Sequence, residues 1–130
     1  MTAPLLTLAL KAKLMANWRQ NALADCQTDH FPVVKLFTPD AQATWLLTEL
    51  DPSDEDTLFG LCDLGQGFPE LGCVSLSELQ TVRGRLGLPV ERDLHFKATQ
   101  TLSAYLAQAQ DGERRERLMD QFQRPGYEDR

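Results

Sequence analysis

The sequence predicts an α+β fold: one domain with about five short, mostly antiparallel strands, an N-terminal and a C-terminal helix packed on the sheet, and a short helix after the fourth strand. Apolar residues recur at helical spacing near both ends of the chain, and short apolar runs separated by turn residues fill the middle. A length of 130 residues is typical of a single domain.

The first element is an amphipathic helix from about residue 7 to residue 23. Its apolar residues are Leu6, Leu10, Leu14 and Trp18, at intervals of four. Thr7 stands where its hydroxyl can cap the start of the helix.

Two hairpins follow the first helix. "VVKLF" and "ATWLLTEL" flank "TPDAQ", in which Pro39 and Asp40 suit the two central turn positions. "TLFGLCDL" and "LGCVSL" flank "GQGFPE", and a symmetric pairing places Cys62 opposite Cys73. "GQGFP" suits a turn and is a weak match to a phosphate-binding loop.

A capping box then predicts the short helix. Ser75 and Glu78 have its spacing, and Gly84 stands where a left-handed residue commonly ends a helix. Gly87 and Pro89 turn the chain into a fifth strand over residues 90–96.

The last helix begins in "TLSAYLAQAQ", capped by Thr99 or Thr101. We expect Asp111 and Gly112 to interrupt it. The predicted division is therefore an α+β domain over residues 1–110 and a charged helical extension or tail over residues 111–130.

Charge is distributed unevenly along the chain. The net charge is −6, and residues 36–82 contain no Lys or Arg. Their nine acidic residues are Asp40, Glu49, Asp51, Asp54, Glu55, Asp56, Asp63, Glu70 and Glu78. An acidic segment repels phosphate, so direct nucleic-acid binding is disfavoured and a basic partner is favoured.

The sequence also narrows the compartment and the cofactors. No apolar run is long enough to span a membrane and no secretory signal is recognisable, which predicts a cytoplasmic protein. Cys26, Cys62 and Cys73 form no CxxC pair, so a structural zinc site is not expected. We predict no cofactor.

The strand predicted over residues 90–96 separates its charges by face. Val90, Arg92, Leu94 and Phe96 share one side, and Glu91, Asp93 and His95 share the other. The second set fits a solvated outer face better than a metal triad, since no further ligands accompany it. An inward Arg92 needs a partner, so we expect Arg92 or Arg83 to pair with an acid from the middle segment: Asp63, Glu70 or Glu78.

Candidate sites remain few. A nucleophilic triad of Ser75, Ser77 or Cys73 with His95 and Asp93 can be written, but no G-x-S-x-G motif supports it and Ser75 is better used as a cap. The sequence therefore predicts no catalytic residues. The candidate binding residues are Asp51, Asp54, Glu55, Asp56, Arg83 and Arg85, and the candidate structural residues are Ser75, Glu78, Gly84 and Arg92.

Three stretches carry a family resemblance: "PVVKLFTPDAQATWLLTELDP", "FGLCDLGQGFPELGCVSLSEL" and "VRGRLGLPVERDLHF". In order and spacing they resemble the uncharacterised bacterial family called domain of unknown function 2958, from about Leu5 to Ala107. The resemblance implies a small cytosolic protein encoded on plasmids and other mobile DNA, sometimes near antirestriction genes. It brings no catalytic residues.

Three classes of function follow. The favoured one is a non-enzymatic interaction or accessory protein of mobile genetic elements that antagonises a host defence system through an acidic surface, its partner being a host-defence or nucleic-acid-binding protein. The second is a small metal-dependent hydrolase using Glu91, Asp93 and His95. The third is a nucleic-acid accessory protein using Arg83, Arg85 and the last helix.

Overall fold

The computed structural model describes residues 4–23 and 27–122, and side chains as far as residue 112. Three helices and five strands follow one another along these residues. Their bounds are α1 Leu8–Leu23, β1 Val34–Phe37, β2 Thr44–Leu50, β3 Thr57–Asp63, β4 Glu70–Ser75, α2 Leu76–Leu79, β5 Glu91–Arg92 and α3 Leu102–Phe122.

The five strands form one sheet in the order β4-β3-β2-β1-β5, and every neighbouring pair is antiparallel. The predicted α+β fold is therefore confirmed, including the short helix after the fourth strand. The sheet is a meander of four strands, and β5 is added to the far edge beside β1. None of the helices in the described part of the chain has the length and apolar character needed to cross a membrane.

Each face of the sheet carries its own hydrophobic cluster. The larger cluster joins Leu14 of α1 to Leu36, Leu47 and Leu58 of the central strands, and all four side chains are fully buried. The smaller cluster joins Leu102 of α3 to Leu46 and Leu61, which point to the opposite face because side chains alternate along a strand. The first and last helices thus cover opposite faces.

Two predicted helix caps, Thr7 and Ser75, are confirmed. The hydroxyl of Thr7 accepts the backbone N–H of Leu10 at 3.1 Å, as predicted for the cap of α1. Ser75 caps α2 by accepting the N–H of Glu78 at 3.2 Å. In α3 the main cap comes from elsewhere, because Asp29 accepts the N–H of Ser103 at 3.1 Å and its hydroxyl proton as well.

The register predicted for the second hairpin was wrong. Cys62 lies opposite Glu70, and Cys73 lies opposite Phe59. The two cysteines consequently point to opposite faces of the sheet. The physical reason is a loop of six residues, 64–69, in which Gly65 and Gly67 both have positive φ, so the turn is not centred where a symmetric reading places it.

Three expectations in the second half of the chain were also wrong. The helix α2 ends at Leu79, followed by Gln80 in right-handed geometry, so Gly84 does not end it. The fifth strand stops at Arg92, because Asp93 opens a turn by accepting the N–H of His95 on its carboxylate at 2.9 Å. The last helix continues through Asp111 and Gly112 to Phe122, so these two residues do not interrupt it.

Candidate functional site

The loops of the sheet gather at two opposite ends. One end holds the β2–β3 loop, Asp51–Asp56, which we call the acidic loop, together with the junction of β4 and α2. The other end holds the β1–β2 turn at 38–43, the β3–β4 loop at 64–69 and the loop at 84–89 that leads into β5. Three of the four candidate acidic binding residues are used at the first end in a way that the sequence did not predict.

Asp51 and Asp54 fold the acidic loop on itself. Asp51 accepts the N–H and the hydroxyl of Ser53 at 2.9 and 2.7 Å. Asp54 accepts the N–H of Asp56 at 2.9 Å and both the N–H and the hydroxyl of Thr57 at 3.0 and 2.7 Å. Such side-chain-to-backbone bonds are the ones that Asp uses to stabilise turns.

Asp56 connects the acidic loop to α2. Its backbone carbonyl accepts the N–H of Leu76, and its carboxylate accepts the N–H of Ser77 and the hydroxyl of Ser75. With the Ser75 cap, the first three N–H groups of α2 all have acceptors. The reciprocal contact expected from Glu78 is not among the hydrogen bonds of the described residues, and Glu78 is exposed.

These hydrogen bonds favour the ionised forms of Asp54 and Asp56. Donors from Thr57 and from the N–H of Asp56 lower the pKa of Asp54. The hydroxyl of Ser75 and the N–H of Ser77 lower the pKa of Asp56. Glu55 differs from its neighbours, since it is exposed and its backbone has a φ of 50°. It is the acidic-loop residue whose charge can be changed without removing a carboxylate that accepts hydrogen bonds.

At the opposite end, Asp40 holds two loops together. One carboxylate oxygen, Oδ2, accepts the N–H groups of Leu86 and Leu88 at 2.6 and 3.3 Å. The other oxygen, Oδ1, is buried against Gly84, where a Cβ would lie 1.7 Å from it. Gly84 therefore leaves room for the Asp40 carboxylate, and Gly87 turns the loop with a φ of 80°. Sequence reasoning saw Asp40 only as a turn residue, because no local pattern points to a contact 46 residues away.

Two loops at this end of the sheet, 64–69 and 84–89, expose apolar side chains. Phe68 is 79% exposed and Leu86 is 80% exposed, and Leu64 and Leu88 are half-exposed. We call these four residues the apolar tip. The β1–β2 turn lies against both loops that carry them, since Gln42 also adjoins Gly65. Exposed apolar side chains gathered on one part of a surface are typical of sites that contact another molecule.

The two candidate binding arginines have different roles. The Arg83 guanidinium donates to the carbonyls of Gln80 and Val82 at 3.1 and 2.8 Å, so it caps the chain after α2. Arg85 is exposed and stands beside Leu86 of the apolar tip. Side chains of the last helix beyond residue 112, which the third class of function needs, lie outside the described ones.

The expected pairing of Arg92 with an acid was wrong. Arg92 lies opposite the buried Leu36 and so points inward as predicted. Its guanidinium donates instead to the backbone carbonyls of Pro4 and Leu5 at 2.9 and 2.7 Å. The carbonyl oxygens of the segment before α1 therefore accept hydrogen bonds from the guanidinium. The strand pattern could not predict this contact because that segment is distant in sequence.

The residues of the weak metal candidate do not share one strand face. Glu91 belongs to β5, whereas Asp93 and His95 belong to the turn that follows. Asp93 makes a loose ion pair with Lys35 at 4.0 Å. Among the described residues, no three His, Cys, Asp or Glu side chains form a group that could hold a metal ion.

Among the described residues, none of the nucleophile candidates makes a hydrogen bond to His95, the base of the candidate triad. The Ser75 hydroxyl donates to Asp56. Cys73 is exposed beside Phe59. Burial raises the pKa of the Cys62 thiol, with smaller contributions from Glu70 and Cys73, which disfavours the reactive thiolate. Cys26 lies outside the described residues.

The acids of the middle segment are dispersed. Asp40 and Asp63 lie at the end with the apolar tip, and the acidic loop lies at the other. Glu49 pairs with Phe59 on the α3 face, whereas Glu70 pairs with Cys62 on the α1 face. A continuous row of carboxylates that imitates a nucleic-acid backbone is therefore not built.

Taken together, the fold and these two loop clusters define a small α+β protein with an internally hydrogen-bonded acidic loop at one end and exposed apolar side chains at the other. The chain belongs to the family described as "Protein of unknown function (DUF2958)", whose model matches residues 5–115. No curated protein and no solved structure matches the chain significantly.

Proposed function

We propose that this chain is a non-enzymatic accessory protein of mobile genetic elements, and that it acts in the cytoplasm by binding another protein through the apolar tip. The partner is a host-defence protein or a nucleic-acid-binding protein, and the contact antagonises the defence. The observation that carries the proposal is the exposure of Phe68 and Leu86 on the two loops that contact the β1–β2 turn.

Two properties of the apolar tip support protein binding. Aromatic and Arg side chains dominate the centres of protein interfaces, and the tip offers Phe68 with Arg85 close to Leu86. The loop at 84–89 is held by Asp40 and by the bonds of Gly84 to Leu88 and of Gly87 to Gly84. An ordered loop loses little conformational freedom on binding.

The test is affinity capture from a lysate of the bacterial host, read by quantitative mass spectrometry. The double variant Phe68→Ser/Leu86→Ser removes two exposed apolar side chains from the apolar tip. Leu8→Ser/Leu23→Ser is the matched control, since these leucines are 84% and 88% exposed on α1. We expect a partner that is retained by the wild type and the control and lost by the tip variant. Equal recovery by all three proteins would contradict the proposal.

A second candidate uses the acidic loop to bind a basic partner. The observation in its favour is that Asp54 and Asp56 have lowered pKa values and remain charged in an exposed loop. Glu55→Lys tests it, because this change reverses one charge without removing the carboxylates of Asp51, Asp54 or Asp56. Loss of the captured partner in Glu55→Lys, with full recovery by the tip variant, would favour this second surface.

A further inference from the structure

We propose that the cleft between α1, the loop before β1 and the segment before α3 binds a nucleotide, with its phosphate held by Lys13 and Lys97 and its base against Phe31. The cleft has a volume of about 500 Å³. This is within the range of about 300–1,000 Å³ typical of small-ligand sites. It is separate from both the apolar tip and the acidic loop.

The charge of this cleft is opposite to that of the chain. Its lining includes Lys13 and Lys97 with His30, and no Asp or Glu, although the net charge of the protein is −6. The one ion pair among the described residues joins Lys35 to Asp93, so neither lysine is neutralised by a carboxylate at ion-pair distance. Two unpaired lysines at one cleft favour an anion such as a phosphate.

The acid next to His30 in the sequence is bonded to another element. Asp29 precedes His30, and its carboxylate accepts the N–H and the hydroxyl of Ser103 at the start of α3. Asn17, which also lines the cleft, is fixed by a bond from its Nδ2 to the carbonyl of Thr48 at 3.0 Å. The Asn17 side chain is thus held by a contact outside the lining.

The aromatic side chains of the lining are a further observation that points to a ligand. Phe31 is 52% exposed and Phe96 also lines the cleft, which gives a planar ring an aromatic surface for stacking.

The position of the cleft explains why it stays open. The short β5 pairs only with Leu36 and Phe37, at the C-terminal end of β1. Val33, just before β1, lines the cleft on the side that no described strand covers. A nucleotide can contact both features at once, because its phosphate can bind the lysines while its base stacks on the phenylalanine ring.

Isothermal titration calorimetry on the full chain tests the proposal with AMP, GMP, CMP and UMP, and with adenosine and inorganic phosphate as partial ligands. We expect at least one nucleotide to bind with a Kd below about 1 mM, and adenosine and phosphate to bind at least about tenfold more weakly, since each lacks one half of the contacts. Adenosine binding as tightly as AMP, or no binding of any nucleotide, would overturn it.

Three variants locate the site. Lys13→Gln and Lys97→Gln should each weaken nucleotide binding about tenfold, and Lys11→Gln, which removes the same charge from α1 outside the cleft, should not. Phe31→Ser should weaken the binding of nucleotides and leave the binding of inorganic phosphate unchanged. In two-dimensional NMR the amide signals of Val33 and Ala98 should shift with nucleotide. Equal losses in Lys11→Gln and Lys13→Gln, or shifts confined to other residues, would refute the assignment.

Discussion

The two ends of the sheet use polar and apolar side chains in opposite ways. At the acidic loop, the carboxylates of Asp51, Asp54 and Asp56 accept hydrogen bonds from the loop itself and from the start of α2. At the apolar tip, the polar group of Asp40 is turned inward and Phe68 and Leu86 are turned outward. A carboxylate that accepts internal hydrogen bonds stabilises the fold, whereas an apolar side chain exposed to solvent is available to contact a partner.

The largest effect on stability is expected where Gly84 meets Asp40. Gly84→Ala places a Cβ 1.7 Å from Oδ1 of Asp40, so it should lower the free energy of unfolding by about 2 kcal/mol. Asp40→Ala removes the acceptor for Leu86 and Leu88 and should cost about 1–2 kcal/mol. Urea denaturation of both single variants and the double variant measures the coupling.

The double variant provides the control for that prediction. Removal of the Asp40 carboxylate makes space for the new Cβ, so Gly84→Ala should cost much less in the Asp40→Ala background. Strictly additive losses would show that the loop at 84–89 is not anchored by this contact.

A smaller effect is expected at the acidic end from Ser75→Ala. This change removes the acceptor for the N–H of Glu78 and should cost about 1 kcal/mol in urea denaturation. Ser53→Ala is the control, since its hydroxyl bonds only within the exposed loop, and it should cost less. An equal loss of stability in the two variants would contradict the prediction that the Ser75 cap stabilises α2.

Acid should weaken the acidic end in a defined pH window. Asp54 and Asp56 have lower pKa values when folded than the ordinary carboxyl value of about 4 that they take when unfolded. Their contribution is therefore complete above the unfolded pKa and is lost as the pH falls through the folded pKa. Thermal unfolding of the wild type and of Asp54→Asn should differ at pH 7 and converge towards pH 2. A constant difference between them would contradict the lowered pKa.

The smallest effect on stability is expected at the apolar tip. Phe68→Ser/Leu86→Ser changes exposed side chains, so the free energy of unfolding should stay within about 0.5 kcal/mol of the wild type for each substitution. Urea denaturation checks this. A larger loss would mean that these side chains support the fold, and the contrast between the two ends would fail.

Local signals in the sequence predicted most of the fold. Thr7 and Ser75 were identified as caps from their immediate neighbours, and the first hairpin followed from Pro39 and Asp40 at a four-residue turn. The register of the second hairpin was missed because flexible glycines leave several turn positions open.

The candidate site was predicted less well, because it depends on contacts between distant segments. Asp40 with Leu86, Arg92 with Pro4 and Asp29 with Ser103 each join residues far apart in the chain. The sequence alone does not show whether the carboxylate of an acidic residue accepts hydrogen bonds within the fold or is free in solvent. The sequence therefore predicts a binding surface at the acidic loop, whereas the proposal for the apolar tip depends on side-chain exposure that only the structure provides.

Photo-crosslinking in living cells that contain the protein tests the central claim most directly. A benzophenone amino acid is placed at position 86 in the apolar tip or at position 55 in the acidic loop, two exposed sites at opposite ends of the sheet. Each crosslinked product is identified by mass spectrometry. We predict a discrete protein crosslink from position 86 and none from position 55. A discrete crosslink from position 55 alone would contradict the account and assign binding to the acidic loop.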